Sequence, residues 1–130
     1  MSESKNGWDA LLGIAHECAD LFNSGNDRVI LAGDFNLWPD DLVPIIEEQF
    51  GFIDVMGSVE DLPELEGAVG GSRIWTHKNG NSPKAARQEL DFIFISEELS
   101  DEVTTVGGGI NEFPDAWDMS DHAPVVVDFG

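Results

Sequence analysis

Residues 28–36 read RVILAGDFN. After Arg28, the run through Ala32 is wholly apolar, the composition of a strand covered on both faces, and predicts a central buried strand over Arg28–Ala32. Gly33-Asp34-Phe35-Asn36 follows without a break, so a polar turn sits at the strand's C-terminal end. Asp34 and Asn36 lie two apart and, in an extended turn, face the same side.

Working outward, apolar residues recur at helical spacing from Trp8 to Phe22, through Leu11, Leu12, Ala15 and Ala19. Gly25 is a natural left-handed stop for that helix. Downstream, Pro39-Asp40-Asp41 opens a second helix that runs to Phe50, with acids in its first turn and Gly51 after its last. Phe52–Val55 reads as a strand, and Ser58–Gly71 as an acidic, glycine-rich loop. Arg73–His77 (RIWTH) reads as a strand, Lys78–Arg87 as a polar loop, and Leu90–Ile95 (LDFIFI) as an alternating strand rich in β-formers. Val103–Val106 and Ala123–Phe129 are further strands, separated by an irregular segment from Gly107 to Met119. The pattern is a mixed α/β chain without repeats or low-complexity segments.

Length and composition set the frame. A chain of 130 residues is one domain, 1–130, and buries a modest core. No apolar run reaches the roughly 20 residues needed to span a bilayer. The opening MSESKNGWDA has one Lys and no apolar segment, so it does not read as a signal peptide. The single Cys18 fits a reducing compartment and, on its amphipathic stretch, reads as a small buried hydrophobe. The expectation is a cytoplasmic chain without a membrane partner. Twenty-six acids against six bases leave a net charge of −20, which opposes binding of duplex DNA through a general basic surface. A solvated acidic surface and a patch for a basic partner or several cations both account for it. Four of the six bases (Arg73, Lys78, Lys84 and Arg87) form a basic island in this acidic chain.

Three segments place a charged or hydrogen-bonding residue at the edge of an apolar strand: Gly33-Asp34-Phe35-Asn36, Asp91 within Leu90–Phe94, and Ser120-Asp121-His122-Ala123-Pro124. Asp91 is the least structural of them. A carboxylate between Leu90 and Phe92 is costly to bury unless paired, and an imidazole partner accounts for it, with His122 the obvious candidate. Each segment alone reads as a turn, a cap or a loop. Together they supply carboxylates to orient water and hold a cation, an amide to donate to phosphoryl oxygens, and an imidazole to move protons.

These segments resemble the G-D-F-N, L-D-Y-I-F and S-D-H-x-P-V motifs of the endonuclease/exonuclease/phosphatase family, and Ile74-Trp75-Thr76 resembles its T-W-containing strand. The resemblance runs from about Arg28 to Phe129 and covers the C-terminal half of that family's domain. It implies half of a four-layer α/β sandwich, one mixed β-sheet with flanking helices. By resemblance, Asp34 positions or activates the attacking water, Asn36 binds the scissile phosphate, and Asp91 orients His122. His122 stabilises or protonates the phosphoryl centre, and Asp121 sits at a Mg²⁺ (or Mn²⁺) site. Trp75, Arg73 and Arg87 join Asn36 as substrate-binding groups, because the basic island lies where the family places phosphate-contacting loops.

Two departures qualify the resemblance. Glu89 stands where many relatives carry Arg, so one phosphate contact is lost or reversed, and Arg87 compensates only if the local backbone differs. Nothing in this sequence resembles the family's first half, which supplies a strand Asn and the metal-binding Glu. Glu17, Glu47 and Glu48 read as solvated helix residues. With Asp121 alone, Mg²⁺ binds weakly. Three readings therefore stand. The chain is a phosphoesterase module, acting on nucleic acid or a small phosphate ester, completed by a separate N-terminal-half partner. It is a half-domain that pairs as a homodimer. Or it is a non-catalytic relic or binding protein that keeps the signature.

Overall fold

The structure is a computed structural model that describes residues 28–58, 70–78, 87–110 and 112–130, with residues 9, 12, 13, 16, 17, 20, 21 and 25 nearer the N-terminus. Of the predicted first helix, the described positions are helical and exposed, Glu17 among them; Cys18 and Lys84 lie outside the described residues. So do the greater parts of the predicted loops over Ser58–Gly71 and Lys78–Arg87.

Helix α1 spans Pro39–Phe50. Proline sits in its first turn, where a missing N–H costs nothing, beside Asp40 and Asp41 at the positive end of the helix dipole. Gly51 ends it at φ 71°, a conformation that favours glycine, and its N–H donates to the carbonyl of Ile46. Leu42 and Ile46, four apart and hence on one face, are fully buried. Glu47 and Glu48 are exposed, as solvated helix residues should be.

The buried face of α1 covers a three-stranded antiparallel sheet in the order β1 (Ile30–Asp34), β5 (Asp91–Ile95), β2 (Ile53–Asp54). Ile30 opposes Ile95 and Asp34 opposes Asp91, so β1 and β5 are in register along their whole length. Alternation along β5 sends Phe92 and Phe94 to the helix side. There they pack with Leu31, Leu37, Leu42, Ile46 and Phe52. Phe35 closes this core edge-on, its ring 5.5 Å from Phe94 and 6.0 Å from Phe92. Ile95, on the other face, packs with Val55 and Leu99 against Val103, Val106 and Val127. Leu99 belongs to the short helix α2 (Glu97–Ser100), and the valines to an antiparallel pair, β6 (Val103–Gly108) with β7 (Val125–Phe129). A two-residue pairing of β3 (His77–Lys78) with β4 (Arg87–Gln88) completes the strands.

Several expectations are corrected. The strand predicted at Arg28–Ala32 lies at Ile30–Asp34 and is an edge of its sheet among the described residues; β5 is central. The apolar run misled because only alternate residues, Val29 and Leu31, meet the core, while Ile30 is 53% exposed. The strands described form three antiparallel sheets instead of one mixed sheet. Of the strand predicted over Phe52–Val55, Ile53–Asp54 are the strand residues. Of that predicted over Arg73–His77 only His77 is, its strand running on into Lys78 of the predicted loop. Gly107 and Gly108 extend β6 into the segment read as irregular. No helix among the described residues is long and apolar enough to cross a membrane.

Candidate functional site

The site forms where β1 ends, β5 begins and β7 is about to begin. Register alone sets Asp34 across from Asp91. His122 arrives by backbone pairing with His77: the N–H of Lys78 donates to the Asp121 carbonyl at 2.9 Å, and that of Ala123 to the Thr76 carbonyl at 2.7 Å. The fully buried Thr76 ties the same segment to β5, its hydroxyl accepting from the N–H groups of Leu90 (3.0 Å) and Asp91 (3.2 Å). Asp34 Oδ1 accepts from the N–H of Asn36 at 2.8 Å, and Asn36 adopts φ 55°, the left-handed turn that Asn tolerates well.

His122 Nδ1 lies 2.8 Å from Asp91 Oδ2. Its other nitrogen, Nε2, is 3.8 Å from Asp34 Oδ2 and 3.8 Å from Asp121 Oδ1. Burial pushes the Asp91 carboxyl above the usual range, against hydrogen bonds from His122 and Thr76 that favour the carboxylate. For His122, partial burial alone would lower the pKa, but the bond to Asp91 and the nearby charges of Asp91, Asp34 and Asp121 outweigh it and hold the imidazole above its ordinary value. The arrangement is therefore a carboxylate–imidazole pair whose outer nitrogen faces two exposed acids.

Asp34, Asp91 and His122 present donor atoms within 4.8 Å of one another, and so do His77, Asp121 and His122. Each cluster has one exposed carboxylate, Asp34 in the first and Asp121 in the second, of the type that suits a hard, oxygen-seeking cation keeping several waters. An open cleft of about 430 Å³ lies against this pair, lined by Ala32, Gly33, Ile93 and Pro124 as well as Asp91 and His122. One wall is titratable and the other apolar.

Among the expected substrate-binding groups, Arg73 is corrected. Its guanidinium turns inward, donating to Glu89 through Nη2 at 2.7 Å and Nε at 3.2 Å and to Asp54 through Nη1. Its backbone N–H adds a bond to Glu89 at 2.8 Å. Burial alone would lower the guanidinium pKa, but these two carboxylates outweigh it and raise it, while burial raises Glu89 against the pull of Arg73. Glu89 thus faces this clamp and not the cleft. Arg87 remains exposed, with its guanidinium 5.0 Å from the Trp75 ring and 5.4 Å from Trp117, and Lys78 Nζ lies 5.7 Å from Trp117.

His77 was absent from the residues expected at the site. Its ring centroid is 4.7 Å from that of His122, and its Nε2 is 3.7 Å from Asp121 Oδ2. The available signal was spacing: two residues after Trp75 on an extended segment, His77 shares its face. Gln88 was missed as well, and it links His77 Nδ1 (3.3 Å) to the indole of Trp38 (2.8 Å). Comparison of the chain with protein-family models, with curated proteins and with solved structures gave no match.

Proposed function

We propose that the chain is a metal-dependent phosphoesterase module of the endonuclease/exonuclease/phosphatase type, hydrolysing a phosphodiester or phosphomonoester by water attack. The observation that carries this reading is the Asp91–His122 bond of 2.8 Å, with the Asp34 and Asp121 carboxylates each 3.8 Å from the outer nitrogen of His122. That is a proton-transfer pair opening on acids that can orient water. Asp34 accepts a hydrogen bond from the attacking water, and Asn36 donates to a phosphoryl oxygen. Asp91 holds His122 so that Nε2–H faces the leaving oxygen, which takes the proton as the phosphorus–oxygen bond breaks. Asp121 would hold Mg²⁺ or Mn²⁺, which when bound would neutralise charge on the phosphoryl oxygens.

The site belongs to half of a four-layer sandwich, completed by an N-terminal-half partner or by a second copy. Supporting this, Ala32 pairs with Ile93 on the face of the β1–β5 ladder that bears the cleft, and Ile30 and Ala32 stand exposed on it. An apolar sheet face of this kind is normally covered. The test is hydrolysis of bis(p-nitrophenyl) phosphate with and without Mg²⁺, on material whose mass in solution is measured, with His122→Ala as control. Mg²⁺-dependent turnover that disappears in His122→Ala supports the reading. Turnover unchanged by His122→Ala sinks the site, and binding of phosphate without turnover in monomer or dimer favours a binding protein that keeps the phosphoesterase fold.

A further inference from the structure

Two imidazoles meet at the site, and their outer bonds make them different. The indole N–H of Trp38 is a donor only, and it lies 2.8 Å from Gln88 Oε1. That contact assigns the Gln88 amide, because reversing it would set one donor against another. Gln88 is buried, and Gly70 packs so tightly on Trp38 that a Cβ there would lie 2.3 Å from the indole. With Oε1 committed to Trp38, Gln88 presents its Nε2 to His77 Nδ1 at 3.3 Å. An amide nitrogen has no lone pair to offer, so Nδ1 of His77 must accept, and the proton of the neutral imidazole sits on Nε2. His122 is arranged the other way. Its Nδ1 faces Asp91 Oδ2, so the neutral ring carries its proton there and leaves Nε2 as a lone pair.

We propose that His77 is the site's second imidazole, a fixed donor whose Nε2–H binds a phosphoryl oxygen of the substrate, locked in that tautomer by the Trp38–Gln88–His77 chain. The inference rests on the phosphoesterase reading for the identity of its ligand. His77 Nε2 is 3.7 Å from Asp121 Oδ2, too far for a hydrogen bond, and the two rings are 4.7 Å apart. The donor therefore faces the region shared with His122 without a short bond to Asp121. The same tautomer removes His77 from metal ligation. Spacing alone would allow His77, Asp121 and His122 to hold an ion, but a ligating nitrogen needs its lone pair, and that of His77 Nε2 is occupied by a proton. With both rings neutral one donates and the other accepts. His122 takes a further proton on Nε2 before it serves as the acid, whereas the His77 donor is fixed beforehand, the kind of preorganisation that a charge-bearing oxygen rewards.

The test joins imidazole NMR to phosphate binding. Long-range ¹H–¹⁵N correlation at a pH about two units above the ordinary histidine value should show His77 as the Nε2–H tautomer and His122 as the Nδ1–H tautomer. Gln88→Met should convert His77 to a mixture of tautomers while leaving His122 as it was. His77 found as Nδ1–H, or already averaged in the unmodified protein, overturns the proposal. Inorganic phosphate is then titrated in the presence of Mg²⁺. His77→Leu should weaken it roughly 10- to 100-fold, the usual worth of a hydrogen bond to a charged group. His77→Gln, which retains an N–H donor, should recover part of that loss. If phosphate shifts the His122 signals yet binds His77→Leu unchanged, the role of His77 is overturned and the phosphoesterase reading stands. If phosphate shifts neither ring, both fall. Should His77→Leu fail to fold, the tautomer measurement and His77→Gln decide.

Discussion

Replacing Arg73 by Met removes the one guanidinium that serves two buried carboxylates, Glu89 at 1% and Asp54 at 2% exposure. Methionine fills much the same apolar volume, so the change isolates charge and hydrogen bonding. Breaking a buried pair by deleting one partner costs about 3–5 kcal/mol, because the remaining charge is desolvated without compensation. A chain of 130 residues unfolds with an entropy of about 0.27 kcal/mol/K, so the expected fall in Tm is roughly 11–18 °C. The loss is pH-dependent with a definite sign. Burial already raises the Glu89 carboxyl, and without Arg73 nothing opposes it, so the native state gains stability as Glu89 takes up a proton and loses it as pH rises. The deficit is then greatest near neutral pH and shrinks as pH falls toward about 4.5, the upper edge of the ordinary carboxyl range. Adding Glu89→Gln and Asp54→Asn to Arg73→Met should recover stability at pH 7, since no buried charge remains. Urea unfolding at the two pH values measures all of this. A deficit below about 1 kcal/mol at neutral pH, or one that does not change with pH, would refute the assignment of Arg73 as an internal clamp.

Asp91→Asn should lower the His122 pKa toward or below its ordinary value, read from imidazole NMR, because it removes the contact that most opposes the effect of burial. Phosphoester hydrolysis by the same variant should fall by about 10²- to 10⁴-fold, the usual worth of positioned acid–base catalysis. With the His122 folded value above its unfolded one, the pair's contribution to stability is fully present below about pH 6.5. It is lost as pH rises from there through the higher folded value, a slope in denaturation data on the neutral-to-alkaline side of about pH 6.5 that Asp91→Asn should flatten. Leu42→Ala, at a fully buried position between α1 and the sheet, should cost about 2–5 kcal/mol in urea unfolding without altering the His122 pKa.

The local features of the fold were legible because they have local causes. Pro39, the acids after it and Gly51 mark both ends of α1, and the alternation of LDFIFI marks β5. What escaped was tertiary. An apolar run such as VILA reads the same whether a strand is central or at an edge, and only its neighbours decide. At the site, a carboxylate flanked by Leu90 and Phe92 demanded a partner, and His122 supplies it at 2.8 Å. Arg73 was misread because a basic island looks like surface when its counter-charges, Asp54 and Glu89, lie 19 and 16 residues away. Thr76, Gln88 and His77 act through bonds to other segments, which composition cannot express. His77 alone left a trace, in its spacing from Trp75.

The residues of the candidate site come from positions 34, 77, 91 and 122, joined by a backbone bridge at His77–His122 and a ladder at Asp34–Asp91. No single hairpin or helix contains them. Closing such distant loops loses chain entropy before any contact compensates, so these groups meet only late in folding. A partly folded chain that has built α1 and β1 alone holds a carboxylate but no imidazole beside it. Whatever chemistry the cleft performs is thereby coupled to completion of the fold, and a nascent or locally unravelled chain is inert by construction.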